Sequence, residues 1–130
     1  MGYKHVIPQI IVRAKKARNK IDIFGGNQTR AFCYIDDAIG ALVAISKKKI
    51  YENRIFHIGN THEIKIYNLV KIILKLINKK LLIFEKGAPI LSVQRRSPNL
   101  NKFYKLTKFK ANVNLQAGLK ETIKWYSLKE

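Results

Sequence analysis

Short apolar runs of strand length alternate along this chain with longer runs of helical periodicity, and that alternation defines an α/β fold. Pro8 suits the first turn of a helix running to about Arg18, with Ile7, Ile10, Ile11 and Ala14 as its apolar stripe. A strand follows at Ile21 to Phe24, closed by the turn Gly25-Gly26-Asn27, and a second is expected over Arg30 to Ile35. Asp36 reads as the N-cap of a helix to about Lys48, lined by Ile39, Leu42, Val43 and Ile45. Beyond it come a strand at Arg54 to Ile58, a short extended piece at Glu63 to Lys65, and a helix from Ile66 to Asn78. A strand at Leu81 to Glu85, an irregular segment from Gly87 to Asn99, and helices near Leu100 to Leu106 and Leu115 to Leu128 complete the pattern.

The 130 residues suffice for about one domain, and no repeat or linker divides them. No apolar run approaches the roughly 18 residues of a membrane helix, no signal peptide opens the chain, and Cys33 has no cysteine to pair with. These features read as a soluble, reduced, cytoplasmic protein. The net charge of +18 suggests a small basic nucleic-acid-binding protein as one alternative. However, 20 of the 26 basic residues are lysine, beside 19 isoleucines and 10 asparagines, all encoded by A/T-rich codons. The runs Lys15-Lys16, Lys47-Lys48-Lys49 and Lys79-Lys80 fall at expected helix ends, where cations favour the C-terminal dipole.

A search for catalytic chemistry finds little. Gly25-Gly26 are adjacent and lack the third glycine of a dinucleotide loop. Tyr67 and Lys71 have the spacing of an activated tyrosine–lysine pair but no serine or threonine partner nearby. His5, His57 and His62 lack metal-ligand spacing, and His57, inside an apolar strand, reads as a hydrogen-bonded structural residue. Asp36-Asp37 reads as helix capping and Cys33 as a small buried hydrophobe. Arginines remain: Arg30 starts a strand after a glycine turn, and Arg95-Arg96 sit in a proline-bounded segment. Planar guanidinium groups there suit bidentate phosphate recognition.

An ordered series of motifs gives these arginines a context. His5-Val6-Ile7-Pro8, then Ile23-Phe24-Gly25-Gly26, then Gln28 through Asp37 resemble the NAD-dependent sugar-nucleotide epimerase/dehydratase family. This is the extended short-chain dehydrogenase branch that includes UDP-glucuronate decarboxylase and UDP-glucose 4-epimerase. His57-Ile58-Gly59-Asn60 with Glu63-Ile64, Arg95-Arg96-Ser97-Pro98-Asn99, and Leu115 through Tyr126 continue the resemblance in order. It covers nearly the whole chain but only the C-terminal portion of such an enzyme.

The resemblance implies the last Rossmann elements plus a small substrate-binding subdomain, with the N-terminal Rossmann core absent. Residues 36–58 would complete the Rossmann sheet, and the whole of 1–130 would be one incomplete unit. It implies a nucleoside-diphosphate sugar as ligand: Arg30 and Arg96 on the diphosphate, the Asp22 backbone and Phe24 ring beside the nucleobase, and Asn99 at the ribose. Asn99 stands where the family has aspartate, keeping an acceptor and losing a charge. NAD belongs to the complete family enzyme and is not expected to bind this chain alone, since the glycine loop and the catalytic tyrosine–lysine pair lie upstream of the matching region. The chain is therefore expected to be a fragment, a degraded gene product, or half of a split enzyme with a separately encoded N-terminal Rossmann half. A homodimer of the complete enzyme is left open, and no membrane partner is expected.

Overall fold

The computed structural model describes residues 5–47 and 49–128; Lys48, in the central lysine run, lies outside them. The elements are α1 (Val6–Lys16), β1 (Lys20–Phe24), β2 (Thr29–Ala31), α2 (Ile35–Ser46), β3 (Glu63–Lys65), α3 (Ile66–Leu76), β4 (Leu82–Lys86), β5 (Arg95–Arg96), α4 (Asn101–Thr107) and α5 (Leu115–Ser127). They form two small sheets. In the first, β1 and β4 run parallel, with Lys20 opposite Leu82 and Phe24 opposite Lys86. In the second, β2 is central, antiparallel to β3 and parallel to β5.

One apolar core holds the first sheet to α1, α3 and α5. Strand alternation sends Ile21 and Ile23 into it and leaves Lys20, Asp22 and Phe24 on the open face. On α3, Ile66, Leu69, Val70, Ile73 and Leu74 are buried at helical spacing, and α1 adds Ile10, Ile11 and Ala14. Lys79, expected simply to sit at its own helix end, donates its ammonium to Ala17 O at 2.8 Å and to Lys15 O, capping α1 instead. A second cluster joins Tyr51, Phe56, Phe103 and Phe109 edge to face, and the Phe109 ring packs against Gly40 of α2.

Four expectations need correction. The strand expected over Arg30–Ile35 ends at Ala31, because its partners β3 and β5 are only three and two residues long. Asp36 is not an N-cap: α2 starts at Ile35 with Tyr34 as N-cap, so Asp36 and Asp37 lie in its first turn, favourable to the dipole. Asp37 is buried there, and its carboxylate accepts the amides of Asn112 (3.0 Å) and Val113 (2.9 Å), fastening the approach to α5. Residues 54–58 form no strand, since among the described residues no segment offers them a ladder; Lys102 bonds to Ile55 O instead. His57, on that same segment, is exposed and makes no side-chain hydrogen bond among the described residues.

Apolar side chains also face outward. Ile35, Ile39, Leu42 and Val43 share one side of α2 and are exposed, as is Ile55 at 83%, whereas Ile58 is half-buried. Core dependence is testable at Leu69, which is fully buried. Leu69→Ala should cost about 2–5 kcal/mol through lost burial and a residual cavity. Urea titration checks this by a lower midpoint at unchanged slope.

Candidate functional site

The turn after β1 delivers the chain to β2. Gly25 adopts φ +63°, a conformation that a side chain disfavours, and its amide bonds to Lys86 O. The carbonyls of Gly26 and Gln28 accept the amides of Tyr67 and Ile66, both at 3.0 Å, so the turn closes the N-terminus of α3.

Register then sorts the arginines. Arg30 pairs with Arg96, and Thr29 with Arg95, across the parallel β2–β5 ladder. Neighbouring residues of a strand point to opposite faces, while laterally paired ones share a face. Arg95 therefore turns toward Glu63, which it grips with Nε at 3.0 Å and Nη2 at 2.6 Å; Thr29 Oγ1 donates to the same carboxylate at 2.8 Å. Arg30 and Arg96 share the other face. Arg30 donates to Thr29 O (2.7 Å), Gln94 O (3.4 Å) and Gln28 Oε1 (3.1 Å) and meets no carboxylate. Burial, and then the positive charge of Arg96, lower its pKa, yet a guanidinium stays protonated at neutral pH. Arg96 is exposed with no side-chain partner among the described residues. The two cations share this face, and among the described residues no carboxylate is bonded to either.

The other expected residues lie nearby in the chain but are already engaged. Asp22 holds Lys86 at 2.8 Å, and the Lys86 hydrogen bond keeps its carboxyl below the usual range. Its backbone carbonyl accepts from Arg13, whose guanidinium also sits 5.9 Å from the half-exposed Phe24 ring. A carbonyl has two lone pairs, so one stays available to a base edge. Asn99 is exposed and accepts the amide of Asn101 at 3.0 Å, helping to start α4. Sequence reading passed over Gln28, Ser92, Arg13 and Lys86, whose contacts depend on segments distant in sequence. Tyr67 and Lys71 form a cation–π contact at 4.7 Å on α3. Cys33 is half-buried, its thiol pushed up by burial and then by Asp37, beside an apolar cavity of about 370 Å³ lined by Phe32, Ile35, Leu119 and Thr122 among others. That cavity includes none of the five expected ligand residues.

Comparison with known proteins places this geometry in a class. The chain superposes on UDP-glucuronic acid 4-epimerase from Bacillus cereus, solved with UDP-glucuronic acid and NAD, with TM-score 0.89 at 22% identity. It superposes on UDP-glucose 4-epimerase from Thermotoga maritima, solved with UDP-glucose, with TM-score 0.86 at 22% identity. Each match covers 98% of this chain and 41% of the other. The fold is thus that of the C-terminal portion of an extended short-chain dehydrogenase. Residues 2–59 match the NAD dependent epimerase/dehydratase family. UDP-N-acetyl-alpha-D-glucosaminuronate decarboxylase of Bacillus cytotoxicus is 32% identical over 95% of this chain, which spans 40% of that relative's length. UDP-glucuronic acid decarboxylase 1 of Danio rerio is 28% identical, with this chain spanning 30% of its length. Over residues 2–59 the chain matches the NAD dependent epimerase/dehydratase family, and over nearly its whole length it is similar to the C-terminal part of such proteins.

The Gly25–Gly26 turn does not fit the pyrophosphate of NAD. The first amides of α3 are spent there on the turn's own carbonyls. A Cβ on Gly26 would run into the Glu85 carboxylate, so an acid already crowds the turn. Among the described residues, no group of histidine, cysteine and acidic side chains could hold a metal ion, and no helix is long and apolar enough to cross a membrane.

Glu63 makes the site pH-sensitive. Its hydrogen bonds from Arg95 and Thr29 lower its pKa, so its contribution is full above the ordinary glutamate range and lost as pH falls through its lower folded value. Glu63→Gln should flatten that acid limb. Urea midpoints at about pH 7 and about pH 3 check it: the difference between the two should be smaller in the variant than in the parent.

Proposed function

We propose that this chain is the nucleoside-diphosphate-sugar-binding part of a sugar-nucleotide epimerase, dehydratase or decarboxylase. Arg30 and Arg96 hold the diphosphate, Phe24 and the Asp22 backbone border the base, and Asn99 faces the ribose. The observation that carries this reading is the register pairing of Arg30 with Arg96, neither bonded to a carboxylate among the described residues. Two guanidinium forks meet a diphosphate with charge-assisted, bidentate hydrogen bonds, a geometry that scattered lysines lack.

Arg96→Ala should weaken binding of a UDP-sugar about tenfold or more, Arg96→Lys should recover part of it, and Asn99→Asp should change it less. Lys47→Ala, at the exposed end of α2, should leave it unchanged. Calorimetric titration at fixed salt measures each, with the free sugar as control. An equal loss from Lys47→Ala, with steep salt dependence and no preference for the sugar nucleotide, would replace this reading with general polyanion binding.

The same reading makes these residues dependent on an NAD-binding Rossmann half, its sheet completed by residues 36–58. Support comes from the outward apolar side of α2 and from residues 54–58, strand-like in composition but without a ladder among the described residues. Alone, the chain should lack oxidoreductase activity, take up no NAD, and self-associate through that side of α2. Leu42→Lys should shift it toward monomer in sedimentation velocity. Saturable NAD uptake, or a monodisperse monomeric parent chain, would count against this dependence.

A further inference from the structure

Buried beneath the glycine turn is a polar side chain that the proposed ligand contacts leave unused. Gln28 is 6% exposed, and each end of its amide is committed: Oε1 accepts Arg30 Nη2 at 3.1 Å, and Nε2 donates to Ser92 Oγ at 2.6 Å. Its backbone is fixed as well, the amide on Gly25 O at 2.9 Å and the carbonyl on the Ile66 amide. Gly25 leaves the room it needs, because a Cβ there would lie 2.8 Å from Gln28 Cδ. Ser92 closes a turn, its amide on Pro89 O at 3.0 Å, from which Ile90 and Leu91 project almost fully exposed. Thr29 N–H on Gln94 O ties the same segment to β2.

We infer that Gln28 is the positioning residue for Arg30, orienting its guanidinium for the diphosphate and anchoring the 89–94 segment beside it. The inference rests on the proposed role of Arg30. The guanidinium, which can only donate, fixes the amide with its carbonyl toward Arg30, and the Ser92 hydroxyl accepts from the NH2 at the other end. Arg30 has no acidic partner, so a neutral acceptor holds the fork without neutralising it. A carboxylate in that place would hold it too, but would compete with the ligand for the same charge.

The contrast between two variants tests this in the 130-residue chain, with UDP as the calorimetric probe. Gln28→Glu keeps the size of the side chain and Gln28→Ala removes it. A purely structural role makes glutamate the milder change in both melting temperature and UDP affinity. The positioning role predicts opposite rankings: glutamate melts closer to the parent, yet binds UDP more weakly than alanine. Each variant should lose at least about fivefold in affinity. Ser92→Ala should give a smaller loss and faster amide exchange across 89–94. Glutamate milder in both readouts, or unchanged UDP affinity in both variants while Arg30→Ala abolishes binding, overturns the inference and leaves the Arg30 reading intact. If the parent chain takes up no UDP, or Arg30→Ala binds it as the parent does, the Arg30 reading itself fails and the inference falls with it.

Discussion

Two backbone hydrogen bonds, from Ile66 N–H to Gln28 O and from Tyr67 N–H to Gly26 O, join the glycine turn to the start of α3. Helix amides in a first turn have no intrahelical acceptor, so α3 must find carbonyls elsewhere or leave donors unpaired. It finds them in the turn that follows β1, which can present them because Gly25 accepts a left-handed φ. The bonds seat α3, whose apolar stripe is the centre of the core, and fix the point where the chain enters β2. The position of Arg30 thus follows from the closure of a helix end and a glycine turn.

Charge in this chain is abundant and acid is scarce, so where the carboxylates go decides which cations remain available. Asp22 is held by Lys86 and Glu63 by Arg95, while Asp37 is used on backbone amides. At physiological salt, exposed charges more than about 8 Å apart are largely screened, so the +18 total says little about a specific ligand. A pair of guanidinium groups held in register is different, because its geometry persists when long-range attraction is screened.

The sequence made the helices legible, because burial at i, i+3 and i+4 leaves a periodic trace wherever the partner layer is present. β1 and β4 were legible for the same reason: each carries its own apolar alternation or run. Residues 54–58 look like a strand in composition, but a strand exists only with a ladder, and composition cannot supply the neighbour. Asp37 was read as a helix-capping residue because its true partners, the amides of Asn112 and Val113, lie 75 and 76 residues away. Gln28 was legible only as the first residue of a motif, and its role was hidden for a related reason. Its importance lies in a hydroxyl 64 residues distant and in the space left by a neighbouring glycine.

The arginine pair at 95 and 96 marks where sequence and structure part most sharply. Side by side in the chain, the two residues are chemically identical and equally suited to phosphate. Strand alternation separates them, and the ladder to β2 assigns each a face. Arg95 falls on the side of Glu63, which draws it into a bidentate ion pair that pins β5 to β3. Arg96 falls on the side of Arg30 and has no side-chain partner among the described residues. A register slip of one residue would exchange these roles, turning Arg95 to the side of Arg30 and Arg96 to the side of Glu63. The Glu63–Arg95 pair therefore bears on the site without touching any ligand, because it holds β5 in the register that puts Arg96 beside Arg30.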